Sequence, residues 1–294
     1  MLFLICAAML VLPVGGLQQD RLLGRLLDFG HFPLFAVVFY CVLNLFPQNA
    51  NGSRRWDAAV MATLLFNLAA ECVQPLFGRS SGVADWFIGS AGCLSAALLN
   101  RLKGPRHKFP CYAVVLTLIL ASLMPAGMVV LDRHAARADF PLLSSFESAL
   151  ELGRWECHGC TIRRIHEGIT DGCYASEIRI EKETAYPGLF LVDMPRNWSD
   201  MKNLRFDIFW PQDAEARLWV RMDDSPDSPY ECRVQQAFLL HPGTNRIALS
   251  RELASTTPEG RALNLKAIQS FGIFLEKGVS GLVFRLDNVA LNLK

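Results

Sequence analysis

Charge is spread so unevenly along this chain that one globular domain cannot contain it. Residues 1–132 carry 15 Asp, Glu, Lys and Arg side chains, nine basic and six acidic, whereas residues 133–294 carry 42, of which 20 are basic and 22 acidic. The second density is that of an ordinary soluble domain, and the first is far below it. The contrast predicts a membrane domain over 1–132, a linker over 133–139 and a soluble domain over 140–294. A chain of 294 residues leads one to expect two domains in any case. Neither half has the basic excess that nucleic acid demands, so no nucleic-acid partner is expected.

Five apolar stretches divide the first half, at about 2–17, 32–46, 57–77, 83–102 and 110–131. A helix needs about 20 residues to cross the hydrocarbon core, which the last three stretches supply. The second reaches that length only by drawing in Leu27 to Phe32, with Asp28 and His31 at its entrance. The first has no Lys or Arg ahead of it and no clear small-x-small site, so it is expected to be a retained helix rather than a signal peptide. Arg54-Arg55 and the loop holding Arg101, Lys103, Arg106 and Lys108 belong on the cytoplasmic side. Five spans then place the amino terminus inside and the soluble domain outside.

The costly residue is Glu71, within the apolar run from Ala59 to Phe77. An ionisable side chain at membrane depth costs about 2.5–3.5 kcal/mol on insertion scales, and it normally faces protein or a polar cavity. Asn67, Glu71 and Gln74 follow at i, i+4 and i+7 and so share one helix face. Asp28 and His31 fall at one junction between spans. Glu71, Gln74, Arg79, Ser80, Ser81 and Asp85 fall at another, on the same side. His31 and Glu71 are the candidate acids or bases. Arg79 is a candidate holder of a phosphate, and Asp28 or Asp85 would orient a partner or cap a helix. No nucleophile motif, P-loop, dinucleotide fingerprint or HExxH is present. The competing reading is a hydrogen-bonded and salt-bridged network that staples spans two to four together.

The spacing Glu71-x2-Gln74-x4-Arg79-x5-Asp85, with Asp28 and His31 before it and Gly92 after, resembles the VanZ-like membrane protein family over roughly residues 1–105. Two positions depart from the family pattern: Phe29-Gly30 separates Asp28 from His31, and Gly89 stands where an Asn is common. The resemblance implies a multi-pass protein of the bacterial inner membrane acting in cell-wall or exopolysaccharide processes or in glycopeptide resistance.

After Asp139 the apolar period becomes two. Strands are predicted at 160–165, 175–181, 188–193, 204–210, 217–222, 233–240, 244–249, 269–276, 280–286 and 289–293, separated by turns such as Tyr186-Pro-Gly188 and His241-Pro-Gly243, with one helical turn near 263–268. Many short alternating strands indicate an antiparallel sandwich. The fold class is therefore α and β in separate domains: a polytopic transmembrane helical bundle, then a jelly roll. Trp155, Trp198 and Tyr230 are candidate sugar platforms. Trp198 is the one expected to be exposed, since it lies in the polar run Arg196-Asn-Trp-Ser-Asp200. Trp210 and Trp219 are further candidates; core packing is the favoured reading for any of the five but Trp198, and the face of Trp219 is ambiguous because it alternates with Leu218 and Val220. Cys157, Cys160, Cys173 and Cys232 make an even set, which favours disulfides outside the cytoplasm over half a metal site.

Phe146-Glu147, Gly172-Cys-Tyr-Ala-Ser-Glu177, Tyr186-Pro-Gly188 and Leu286-Asp-Asn-Val289, in that order, resemble the galactose-binding-like carbohydrate-binding modules. That resemblance implies glycan binding and a structural calcium ion, with Glu147 and Asp287 as its carboxylates; no other cofactor is expected. The leading expectation is a VanZ-like envelope protein whose periplasmic sandwich binds a glycan or a partner, with membrane lipid around its spans. The alternatives are an enzyme acting on a lipid-linked, phosphate-bearing head group at His31, Glu71 and Arg79, and a bundle that merely anchors the sandwich.

Overall fold

A computed structural model describes residues 20–47, 52–77, 82–101, 108–182, 184–225, 229–254, 257, 260–278 and 280–294. The first predicted span and Arg79, Ser80 and Ser81 lie outside the described residues. The chain divides into two compact units, Met1–Val130 and Leu131–Lys294.

The first unit is helical: α1 (Arg21–Phe29), α2 (His31–Leu45), α3 (Gly52–Val73) and α4 (Val83–Asn100), followed by α5 (Lys108–Ala138), which continues into the second unit. Four segments among the described residues are long and apolar enough to cross a membrane, at Arg21–Leu45, Ser53–Leu76, Val83–Asn100 and Phe109–Ala138. The second predicted span thus begins well before residue 27, because α1 and α2 run together through Gly30. Asp20 starts α1, its carboxylate accepting from the amides of Leu22 (2.9 Å) and Leu23 (3.0 Å).

Phe35, Val38 and Phe39 of α2 pack with Ala59 and Val60 of α3 and with Cys93, Ala96 and Ala97 of α4. Small residues make this approach possible. A Cβ at Gly92 would run into the Phe32 carbonyl, so α2 and α4 touch backbone to side chain-free backbone there. In a lipid solvent such close packing, rather than water exclusion, holds helices together.

The second unit opens with the last two turns of α5, where a linker at 133–139 was predicted. Those turns carry polar residues that are tied down. Asp132 accepts from Arg154 Nε (3.0 Å) and Nη2 (2.7 Å), with both side chains at most 4% exposed. Arg133 Nε donates to Asp193 (2.9 and 3.1 Å). The charge density that suggested a linker is instead the ion-pairing surface of a helix.

Thirteen strands follow among the described residues: β1 (Leu142–Ser144), β2 (Trp155–His158), β3 (Cys160–Ile165), β4 (Ala175–Ile180), β5 (Thr184–Ala185), β6 (Gly188–Leu191), β7 (Met201–Trp210), β8 (Ala216–Asp223), β9 (Val234–Leu240), β10 (Gly243–Ser250), β11 (Ser270–Leu275), β12 (Lys277–Gly278) and β13 (Val283–Leu293). One sheet runs β10-β7-β13-β4-β3 with β1 also on β13, the other runs β2-β6-β11-β8-β9, and β5 pairs with β12. All pairings are antiparallel. The predicted strands 280–286 and 289–293 form one strand, β13, whose register against β7 slips between Asp287 and Ala290, with Asn288 at φ 51°. The helical turn expected near 263–268 is non-helical, and a short helix, α6 (Arg251–Ala254), precedes it.

Phe271 centres the core between the sheets, with Trp155, Trp198 and Phe206 rings 5.7–6.5 Å from it. Trp198 is therefore a core residue, not the exposed platform predicted. Its ring is fully buried and its Nε1 donates to the Pro195 carbonyl (2.8 Å). The polar neighbours face out while the ring turns in. Trp155 is likewise buried, its Nε1 donating to Ser144 Oγ (3.3 Å).

Candidate functional site

The helical unit brings part of the predicted cluster together. Glu71 is buried, and its Oε2 accepts from the Gly82 amide (3.2 Å), beside which the Asp85 carboxylate also lies. One turn earlier, buried Asn67 donates through Nδ2 to the Trp86 carbonyl (2.8 Å) and to Ser90 Oγ (3.1 Å), joining α3 to α4. Gly89 leaves room for that amide: a Cβ there would strike Asn67 and the Phe35 ring. Gln74, fully buried, opens the 3-10 turn Gln74–Phe77 that ends α3.

At the other junction, Asp28 pairs with Arg25 (3.3 Å), and buried His31 places Nδ1 3.0 Å from the Asp28 carbonyl oxygen. A carbonyl only accepts, so that nitrogen carries the proton. Of these contacts, those of Asn67 are hydrogen bonds between helices.

The predicted calcium carboxylates serve a loop. Glu147 Oε1 accepts from the amides of Cys173 (2.7 Å) and Tyr174 (2.9 Å). Asp287 Oδ2 accepts from Thr170 N (2.7 Å), Thr170 Oγ1 (3.0 Å) and Asp171 N (3.0 Å), and its Oδ1 accepts from Asn288 N (2.8 Å). Burial still pushes the Asp287 carboxyl above its ordinary value, against the pull of those donors. Gly172, at φ +72°, sits where a side chain would meet the Glu147 carboxylate. Oxygens surrounded by N–H donors do not fit a calcium ion. No group of three or more His, Cys, Asp and Glu among the described residues is placed to hold a metal.

Among the described residues no cysteine is paired, which corrects the disulfide expectation for Cys157, Cys160, Cys173 and Cys232. Buried Cys160 donates to the Gly188 carbonyl (3.0 Å). Its neighbour Cys157 is exposed, and the Cys160 thiol beside it holds Cys157 below its ordinary value.

The outward face of the β2-β6-β11-β8-β9 sheet carries a different kind of site. Register aligns Phe190, Gly272, Arg221 and Gln235 in one row across four strands, and His158, Gly188, Phe274, Trp219 and Ala237 in the next row across five. The two glycines make the rows work. A Cβ at Gly272 would strike the Phe190 ring, so that glycine is the floor on which the ring lies, and one at Gly188 would strike the Ile273 carbonyl and the Phe274 backbone, so the β6 and β11 backbones approach closely there. Phe190 and Phe274 stack 6.2 Å apart, and Tyr186 meets Phe274 edge-on at 5.8 Å.

The result is a groove of about 540 Å³. Tyr186, Phe190, Trp219 and Phe274 form its apolar lining, and His158, Arg221, Arg233 and Gln235 are its main polar groups. Arg221 lies over the Phe190 ring (5.5 Å), and its Nε donates to Asp223. Arg233 Nε stands 3.6 Å from the same carboxylate. Trp219, whose facing was ambiguous in the sequence, points into this groove. Tyr230 belongs to the short turn Tyr230–Cys232; its side chain lies outside what the structure describes.

No protein-family model matches the chain, so the VanZ-like resemblance has no support from that quarter. No curated protein matches it either. Solved structures do match the sandwich. One is an exo-β-agarase (TM-score 0.42, 16% identity), in which 52% of this chain aligns with 25% of that one. Another is the family 11 carbohydrate-binding module of a Clostridium thermocellum cellulosomal cellulase (TM-score 0.39, 17% identity), covering 52% of this chain and 94% of the module. The same module in complex with a β-1,3-1,4-mixed-linked tetrasaccharide matches at TM-score 0.39 and 18% identity, over 51% of this chain and 93% of that one. The chain thus spans a quarter of the agarase's length.

Proposed function

We propose that this chain is a membrane-anchored glycan-binding protein whose ligand lies in the groove of the β2-β6-β11-β8-β9 sheet. One observation carries the reading: four aromatic side chains line an open groove beside fixed hydrogen-bonding groups. Sugar rings present one apolar face of C–H groups and an equator of hydroxyls, so they suit an aromatic floor with polar walls. The core aromatics of the same domain have no such access. In this reading the helical unit, VanZ-like in its Glu71 to Asp85 spacing, holds the groove at the periplasmic face of a bacterial inner membrane, where cell-wall or exopolysaccharide chains pass.

The test is glycan-array binding by the full-length protein in detergent, followed by titration of the best ligand against Trp219→Ala. Losing one well-buried aromatic contact is expected to weaken binding about 10-fold, or roughly 1.4 kcal/mol. Equal affinity in the variant would place the ligand elsewhere and sink the assignment.

A further inference from the structure

We infer that Tyr186 is the orienting wall of the groove, a ring held against its backbone's own preference so that it meets the glycan side-on; this rests on the glycan reading above. Three described residues other than glycine have a positive φ: Phe146 at 61°, Tyr186 at 62° and Asn288 at 51°. That region is sterically costly for a residue with a bulky side chain, and Asn tolerates it best. Phe146 is fully buried, so core packing can hold its backbone there. Tyr186 has no such reason, since it is 50% exposed. The proline that follows pushes its predecessor toward extended backbone, which makes the positive φ costlier still.

The backbone on both sides of Tyr186 is pinned. Before it, Ala185 pairs with Lys277 across the β5-β12 ribbon. After it, the Pro187 carbonyl accepts from the Leu275 amide (3.0 Å), and Gly188 pairs with Phe274. Tyr186 and Pro187 thus bridge two separate strand pairings, and the surrounding hydrogen bonds fix a conformation that the residue alone would avoid. Strained residues of this kind concentrate at ligand clamps. The Tyr186 ring stands at 89° to Phe274, centroids 5.8 Å apart, whereas Phe274 and Phe190 lie within 29° of one another. Two nearly parallel rings make a floor, and the perpendicular one makes a wall of the groove that all three line. A sugar that stacks on the floor meets the wall with its edge, which restricts how it can turn.

The experiment uses the full-length protein in detergent and four probes: cellotetraose, laminaritetraose, chitotetraose and tetragalacturonate. Tyr186→Ala and Tyr186→Gly both remove the ring, and each is expected to weaken the best-bound probe about 10-fold. Tyr186→Phe keeps the ring on the same backbone and should bind nearly as the native protein does. Thermal midpoints of the two ring-less variants test the strain. At an ordinary position Ala is the more stable of the two, because Gly loses more chain entropy on folding. At positive φ the order reverses, so the Gly variant is expected to melt a few degrees above the Ala variant.

If both ring-less variants bind like the native protein while Trp219→Ala weakens binding, Tyr186 is no wall and the glycan groove stands. If Tyr186→Phe binds as poorly as Tyr186→Ala, the ring is not what the ligand meets, and the inference fails. An Ala variant that melts above the Gly variant would show an unstrained backbone, with the same result. If no probe binds the native protein, or Trp219→Ala leaves binding equal, the glycan reading fails and takes the inference with it.

Discussion

The two units bury polar groups in opposite ways. Between α3 and α4 the buried groups are mostly neutral or singly charged, and they find backbone: Asn67 on the Trp86 carbonyl, Glu71 on the Gly82 amide. In the sandwich unit the interior holds a full ion pair, Arg154 with Asp132, and an open aromatic groove lies on the outer face of one sheet. The difference is the one that the proposed setting leads one to expect, with lipid around the helices and water around the sandwich. Helices surrounded by lipid gain nothing from burying apolar surface against each other, so close packing and hydrogen bonds must hold them. A sandwich in water has hydrophobic burial to spare and can leave polar groups at a surface for a ligand. Glu71 has a structural partner in the Gly82 amide.

The sharpest way to break this comparison is to strand one charge inside the sandwich unit. Arg154→Met would leave the Asp132 carboxylate buried and unmatched, an arrangement that typically costs about 3–5 kcal/mol. A large drop in the denaturation midpoint, followed by tryptophan fluorescence, is expected. The double variant Arg154→Met with Asp132→Leu should recover much of it, since an apolar pair of similar volume is often no worse than a buried ion pair. If the single variant is nearly neutral, the ion pair does not hold this interior together.

A smaller effect is expected in the helical unit. Asn67→Leu removes two interhelical hydrogen bonds, each worth about 0.6 kcal/mol on average and up to about 1.7 in membrane proteins. It should lower the melting temperature of detergent-solubilised protein by a few degrees. Glu71→Gln keeps an acceptor for the Gly82 amide and should cost less. If Glu71→Gln leaves the protein folded yet abolishes its cellular role, Glu71 does chemistry, and the contrast between the two units collapses.

Much of this organisation was legible from residue types alone. The charge step located the passage from apolar helices to sandwich to within a few residues, and the strands at 160–165, 188–193 and 217–222 stand close to their predicted places. The linker failed because charged residues on a helix that meets protein look like those of a loop in water. The groove was hidden for a different reason. Parity along a strand marks two faces without saying which is core, and in β11 both parities are apolar, Phe271 and Ile273 inward, Phe274 outward. Only the pairing of β6, β11, β8 and β9 puts Phe190, Trp219 and Phe274 side by side. Trp198 misled because local polarity reports its neighbours' faces and not its own. Gly272 carried the missing signal: glycine inside a strand often marks a close approach, here of the Phe190 ring.

The mildest test concerns an ion pair at the surface of the sandwich unit. Arg261 grips Asp224 through Nη1 and Nη2, both at 2.8 Å, and the Asn264 amide adds a third bond at 2.8 Å. These contacts, the Arg261 hydrogen bonds first, hold the Asp224 carboxyl below its ordinary value. Surface pairs are worth roughly 0–1 kcal/mol, and the fork geometry with a nearly buried Asp224 puts this one toward the top of that range. A lowered folded value means that the stabilisation is present above the unfolded carboxyl pKa of about 3.9 and is lost as pH falls through the folded value. Asp287 works with the opposite sign. Its carboxyl is raised by burial, so its contribution is fullest below about 3.9 and is lost as pH rises through its folded value. Asp224→Asn should therefore be less stable than the native protein at pH 7 and indistinguishable from it once both are acidified below the folded value of Asp224. Thermal midpoints measured from pH 7 down to about pH 2 decide the matter. A gap that stays constant through the acid range would mean that Asp224 acts through its shape and amide contact rather than through its charge.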